Sequence, residues 1–106
     1  MKATINPGVC GFVAKVEAED LGDYMVKVKV ETGCESITKM FAELGDTFSA
    51  FDAVTVKPGS GPLYEFASKH FVAHGCCPTI ACITKVMEAT CGLALPRPVS
   101  LTFDEV

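Results

Sequence analysis

The chain contains no tryptophan. No apolar run approaches the ~18–20 residues of a membrane span. The opening stretch, MKATINPGVCG, is interrupted by Pro7 and Gly8 before an apolar signal-peptide core can form. Positive charge is scarce: nine Lys and Arg stand against thirteen Asp and Glu, giving a net charge of −4. That balance argues against a nucleic-acid binder and against a polybasic membrane-surface protein. Repeats, low-complexity tracts and linker-like stretches are missing, so the 106 residues read as one domain, 1–106. Together these absences point to a protein of the cytoplasm.

Conventional catalytic patterns are missing as well. The carboxylates Glu17, Asp20, Asp23, Asp46 and Asp52 are dispersed, with no acid/base pairing. Ser36, Ser49 and Ser60 occur in no nucleophile elbow. Gly59-Ser60-Gly61 lacks the lysine and the strand-loop-helix setting of a phosphate loop. A hydrolase or nucleotide enzyme finds no support, and the chain reads as non-catalytic.

What is present is an apolar content of 49% with 21% charged residues, the balance of a globular fold. A chain of this size buries about 60–70% of its unfolded surface and folds without help from a metal or a disulfide. Residues 11–19 alternate, with Phe12, Ala14, Val16 and Ala18 directed inward. Residues 24–31 repeat the pattern through Tyr24, Val26, Val28 and Val30. Period-2 alternation predicts two half-buried strands, joined by a hairpin loop over Asp20–Asp23. Val99, Leu101 and Phe103 predict a further strand over 98–104, and residues 3–5 a short edge strand.

Helices are expected over 33–44, 62–69 and 78–91. Thr32 and Glu35 fit a capping box, and Cys34, Ile37, Phe41 and Leu44 follow at helical spacing. Pro62 and Pro78 suit first helical turns; Gly45 and Gly92 supply stops. Ile80, Ile83, Met87 and Cys91 form the core stripe of the longest helix. Residues 46–61 read as irregular, with a helical turn around 48–54. The order strand-strand-helix-helix-helix-strand predicts an α+β fold, a small antiparallel sheet with helices on one face. Val26, Val28, Ile37, Phe41, Ile83 and Met87 are its expected core.

Six cysteines stand out: Cys10, Cys34, Cys76, Cys77, Cys82 and Cys91. Without an export signal a disulfide framework is the weaker reading. Metal binding, thiol chemistry and apolar packing remain. Cys82 and Cys91 lie on helical stripes with Ile, Val and Met, and read as core. Cys10 sits in a glycine-flanked turn. Cys34 and Cys77 fall at helix starts, where amide donors and the dipole favour the thiolate, the ligand form. The two histidines, His70 and His74, lie close to Cys76 and Cys77 in sequence. Three cysteines with a histidine, or four cysteines, make a complete set for zinc or an iron–sulfur cluster. His70, at the end of a short helix, also reads as a charge partner of that terminus. The spacing matches no zinc finger, and no CxxC pair occurs.

Gly8-Val9-Cys10-Gly11, a hairpin, Thr32-Gly33-Cys34, and Cys77-Pro78 opening a helix together resemble the TSCPD domain, with Cys76-Cys77-Pro78-Thr79 in place of its signature. More distantly the order resembles U-type iron–sulfur scaffold proteins. The Asn6–Gly11 opening resembles small uncharacterised proteins that begin NPGxCG. Phe12 departs from the scaffold pattern, which has Asp there, and Gly75 and Cys76 separate His74 from Cys77. These resemblances imply a metal held by Cys10, Cys34 and Cys77, with His74, His70 or Cys76 as fourth ligand, on a strand-strand-helix frame.

The leading expectation is therefore a cysteine-rich zinc or iron–sulfur module, in metal or cluster handling or as an adaptor for a protein partner. A thiol-redox protein is the second reading. The third is a metal-free interaction domain whose cysteines pack. A small sheet leaves unpaired edges, which suits a homodimer.

Overall fold

The computed structural model describes residues 1–106. Its elements are β1 (Lys2–Ile5), β2 (Ala14–Gly22), β3 (Met25–Thr32), α1 (Glu35–Leu44), β4 (Thr47–Ser49), α2 (Ala50–Ala53), α3 (Pro62–His70) and α4 (Pro78–Thr90). The four strands form one antiparallel sheet in the order β1-β2-β3-β4. The fold is α+β: α1 packs on β3, α4 lies mainly on β2, and α3 packs on α1 and α2. No helix is long and apolar enough to cross a membrane.

Alternation builds the sheet. Val16 is paired with Val30 and with Ala3, Ala18 with Val28, and Val26 with Phe48. These side chains face the helices and meet Ile37, Met40, Leu63, Ile80, Ile83 and Met87 in one core. The opposite face of the sheet is polar. There Glu17 stands between Lys2 and Lys29, Lys15 between Thr4 and Glu31, and Glu19 opposite Lys27. Five of the six expected core residues are fully buried. Phe41 is half-buried, since it lies on the flank of α1, edge-on to Phe48 at 5.9 Å between centroids.

Several expectations are corrected. Residues 98–104 form no strand. Val99, Leu101 and Phe103 are exposed, and the sheet is completed instead by β1 and the three-residue β4. Period-2 patterning specifies a strand only where an edge is offered to it, and in this chain the segment lies against none. Phe12 precedes β2 and is exposed, and Tyr24 belongs to the turn. The turn itself is Asp23-Tyr24, with φ of 53° and 60°, as a two-residue I′ hairpin requires. Leu21 is the extra residue of a bulge between Asp20 and Gly22. Tyr24 then packs its ring on Phe51, 4.9 Å between centroids. Thr32 is not the N-cap of α1. Cys34 is, and the Thr32 hydroxyl instead accepts the Cys34 N–H at 3.2 Å.

Candidate functional site

Cys10 lies in the loop from Ile5 to Ala14. Its turn is closed by the Gly11 N–H donating to the Gly8 carbonyl at 2.9 Å, with the Gly8 N–H donating to Asn6 Oδ1 at 3.1 Å. Gly8 and Gly11 have φ of 97° and 72°, a backbone that side chains strain. The turn therefore needs both glycines, and it leaves the Cys10 side chain exposed.

Cys34 is brought to the same end by the sheet register. Ala14, the first residue after the Cys10 loop, pairs with Thr32. The Thr32 hydroxyl donates to the Phe12 carbonyl at 3.4 Å while accepting from Cys34, so it ties the loop to the start of α1. The Cys34 carbonyl accepts from the Thr38 amide and hydroxyl, each at 3.0 Å.

Cys77 arrives by the course of the helices. The last turn of α4 reaches Met1, where the Thr90 hydroxyl approaches Met1 Sδ at 3.7 Å. Met1 is the opposite end of β1 from the Cys10 loop. Thirteen helical residues span about 20 Å, and α4 packs along β2. Its N-cap, Cys77, lies beside α3, near Tyr64 and Gly59. α3 ends at His70, and the segment that follows carries His74, Cys76 and Cys77. The start of α1 and the β1–β2 loop share one end of the sheet.

The side chains there are not assembled into a centre. No three His, Cys, Asp or Glu residues form a group that could hold a metal ion. All six thiols are free: Cys10 and Cys76 are exposed, and Cys34, Cys77, Cys82 and Cys91 are half-buried. Neither N-cap thiol makes a capping hydrogen bond. The His74 carbonyl accepts the Cys77 N–H at 2.9 Å, closing a tight turn, and His74 has φ of 74°. The His70 ring leans on Phe66, 4.3 Å between centroids. A hollow of about 350 Å³ is lined by Tyr64, Phe71, His74, Cys77 and Ile80 among others. Burial pushes the Tyr64 hydroxyl up, and the neighbouring Cys77 and Cys82 reinforce the shift. Burial likewise pushes the Cys82 thiol up; Lys85 pulls it partly back and Cys77 adds to the rise. No sequence signal marks Tyr64, because a lone tyrosine on a short helix carries no motif.

Fold and site thus define a small α+β domain with six free thiols. The chain belongs to the family of unknown function DUF6951, which it matches over residues 1–103. No curated protein and no solved structure matches it.

Proposed function

We propose that this chain is a non-catalytic metal-binding module of the reducing cytoplasm, taking zinc or an iron–sulfur cluster through Cys10, Cys34 and Cys77. One observation supports the reading: all six thiols are unpaired, and the sheet register brings the Cys10 loop beside the helix start that carries Cys34. The donor chemistry fits, because thiolates prefer soft metals and three of them with an imidazole close a tetrahedral site. His74 is the favoured fourth donor, since its carbonyl bond to Cys77 places both residues in one turn, whereas the His70 ring is engaged by Phe66. Cys76 is the remaining alternate. Cys10 and His74 lie in loops, so the donors can be drawn together without disturbing the core. Bound metal would supply a cross-link between the β1–β2 loop and the starts of α1 and α4, a rigid end suited to a protein partner.

The test is metal content of reduced protein purified without oxygen. About one zinc per chain, or iron with sulfide, is expected, and Cys34→Ser should abolish retention while leaving the helix content intact. Absence of retained metal in the fully reduced chain overturns the proposal. So does retention that survives Cys10→Ser, Cys34→Ser and Cys77→Ser. Metal-free protein that reversibly loses two thiols on mild oxidation would favour the thiol-redox reading instead.

A further inference from the structure

Residues 93–106 carry an unused strand. Val99, Leu101 and Phe103 alternate with Ser100 and Thr102, yet they are 57%, 76% and 74% exposed, and Leu95 is 71% exposed. Four large apolar side chains in such a short stretch, all open to water, mark a surface that expects cover. Residues 93–103 of this segment lie within the portion of the chain that matches the family, residues 1–103, so they belong to the domain.

The sheet offers what this segment lacks. β1 is an edge strand with no neighbour beyond it, and an open edge is a template for another strand. Side-chain chemistry selects one alignment. Set antiparallel to β1, residues 101–104 place Leu101 opposite Ile5 and Phe103 opposite Ala3 on the core side. They place Thr102 opposite Thr4 and Asp104 opposite Lys2 on the polar side. Every pair matches: two apolar pairs, one hydroxyl pair and one ion pair, the combinations that stabilise neighbouring strands.

The segment does not reach that alignment within its own chain. It leaves α4 beside Met1, so in passing its own β1 it would run parallel. To pair antiparallel it would have to travel the length of β1 and reverse. Pro96 and Pro98 oppose this, because each fixes its own φ and holds the preceding residue extended. A second copy approaches β1 from outside without that constraint. We infer that residues 99–104 form a fifth strand on β1 of a second copy of this chain, exchanged reciprocally in a two-fold dimer. Reciprocal exchange closes the assembly, since each copy supplies one strand and fills one edge. The inference is independent of the metal reading, because neither the strand nor the edge contains a proposed ligand.

The experiment uses the full chain in a thiol reductant, which removes disulfide-linked dimers. Sedimentation and light scattering should give twice the 11.2 kDa of one chain. A double variant, Leu101→Asp with Phe103→Asp, should sediment as one chain with unchanged far-ultraviolet circular dichroism. In the native protein the Lys2–Ile5 amides should exchange slowly, and faster in the variant. Zero-length carbodiimide coupling of mixed light and isotope-labelled chains should join Lys2 to Asp104 in mixed pairs. A single-chain mass for the native protein overturns the inference. So does a dimer that survives the double variant, or a Lys2–Asp104 link found only within one chain. Because the double variant alters only exposed side chains, loss of folding in it would equally count against the inference.

Discussion

The ring of Phe12 lies over Gly33 so closely that a Cβ added at Gly33 would stand 3.1 Å from it. This contact, with the Thr32 hydrogen bonds beside it, holds the Cys10 loop against the start of α1. Phe12 is half exposed and free to swing outward. Gly33→Ala is therefore expected to cost less than about 1 kcal/mol. Gly61 differs. It sits at φ 91° and ψ 169°, and an added Cβ would meet the Asp52 carbonyl oxygen at 2.8 Å. Backbone in that region is essentially reserved for glycine and costs other residues about 1–3 kcal/mol. Denaturant titration of both variants should place Gly61→Ala well below Gly33→Ala in stability. Equal losses would show that the α2–α3 connection is not held as described.

Ile83 is fully buried at the centre of α4, and Phe41 is half-buried on α1. Ile83→Ala should cost about 2–5 kcal/mol, with Phe41→Ala costing less than a fully enclosed phenylalanine would. The unfolding midpoints rank them; a Phe41 loss larger than that of Ile83 would place the core's centre elsewhere.

Glu17 sits between Lys2 and Lys29 on the open face and approaches Lys2 at 3.6 Å. Glu17→Lys would set three like charges in a row across three strands. A loss of about 0.5–1 kcal/mol is expected at low salt, shrinking as salt is raised towards 1 M. A loss independent of salt would mean that packing, not charge, is responsible.

Cys82 and Tyr64 both hold their protons more tightly in the folded chain than outside it. Above the ordinary thiol range, about pH 8.5, the unfolded chain therefore releases protons that the folded chain retains. Stability of the metal-free protein is full below that range and should fall as pH rises through it and on through the ordinary tyrosine range. Tyr64→Phe should flatten the upper part of the decline. Alkylation at pH 8 should modify exposed Cys10 and Cys76 well before Cys82. A flat stability profile between pH 8 and 11 would contradict the shared burial of these groups.

Zinc at a hundred times its dissociation constant should add about 2.7 kcal/mol to the stability of a chain that binds it only when folded. Thermal unfolding with and without zinc measures this, and Cys77→Ser should remove the gain. An equal gain in Cys77→Ser would assign the effect to other groups.

The long periodic elements were legible in the sequence. Ala14–Ala18 and Val26–Val30 alternate for long enough to fix both strands and their faces, and Ile80, Ile83 and Met87 place α4 to within a residue. β4 was not legible, because three residues with one buried side chain, Phe48, carry no period. Thr32 and Glu35 misdirected the start of α1, since Thr32 serves the Cys34 amide from two residues further back. The same alternation that fixed β2 misplaced Val99–Phe103, where pattern was present and an adjacent edge in the same chain was not. For the site, the helix start at Cys77 could be read from Pro78, whereas the start at Cys34 falls two residues after the Thr32 that the capping pattern suggests. The distances among side chains could not be read, because they depend on how α4 crosses the sheet.

Strand order in the sheet is the same as strand order in the chain. Each new strand is laid beside the one just made, across a two-residue turn, an eight-residue loop or one short helix. Closing such short loops takes tens of nanoseconds to microseconds, and topologies dominated by nearby contacts fold in milliseconds or less. The β2–β3 hairpin, with the shortest loop and the longest register, is placed to form first and to serve as the surface on which β1 and β4 dock. The polypeptide can thus acquire its sheet as it is synthesised, from the first hairpin outward, without waiting for a distant partner segment.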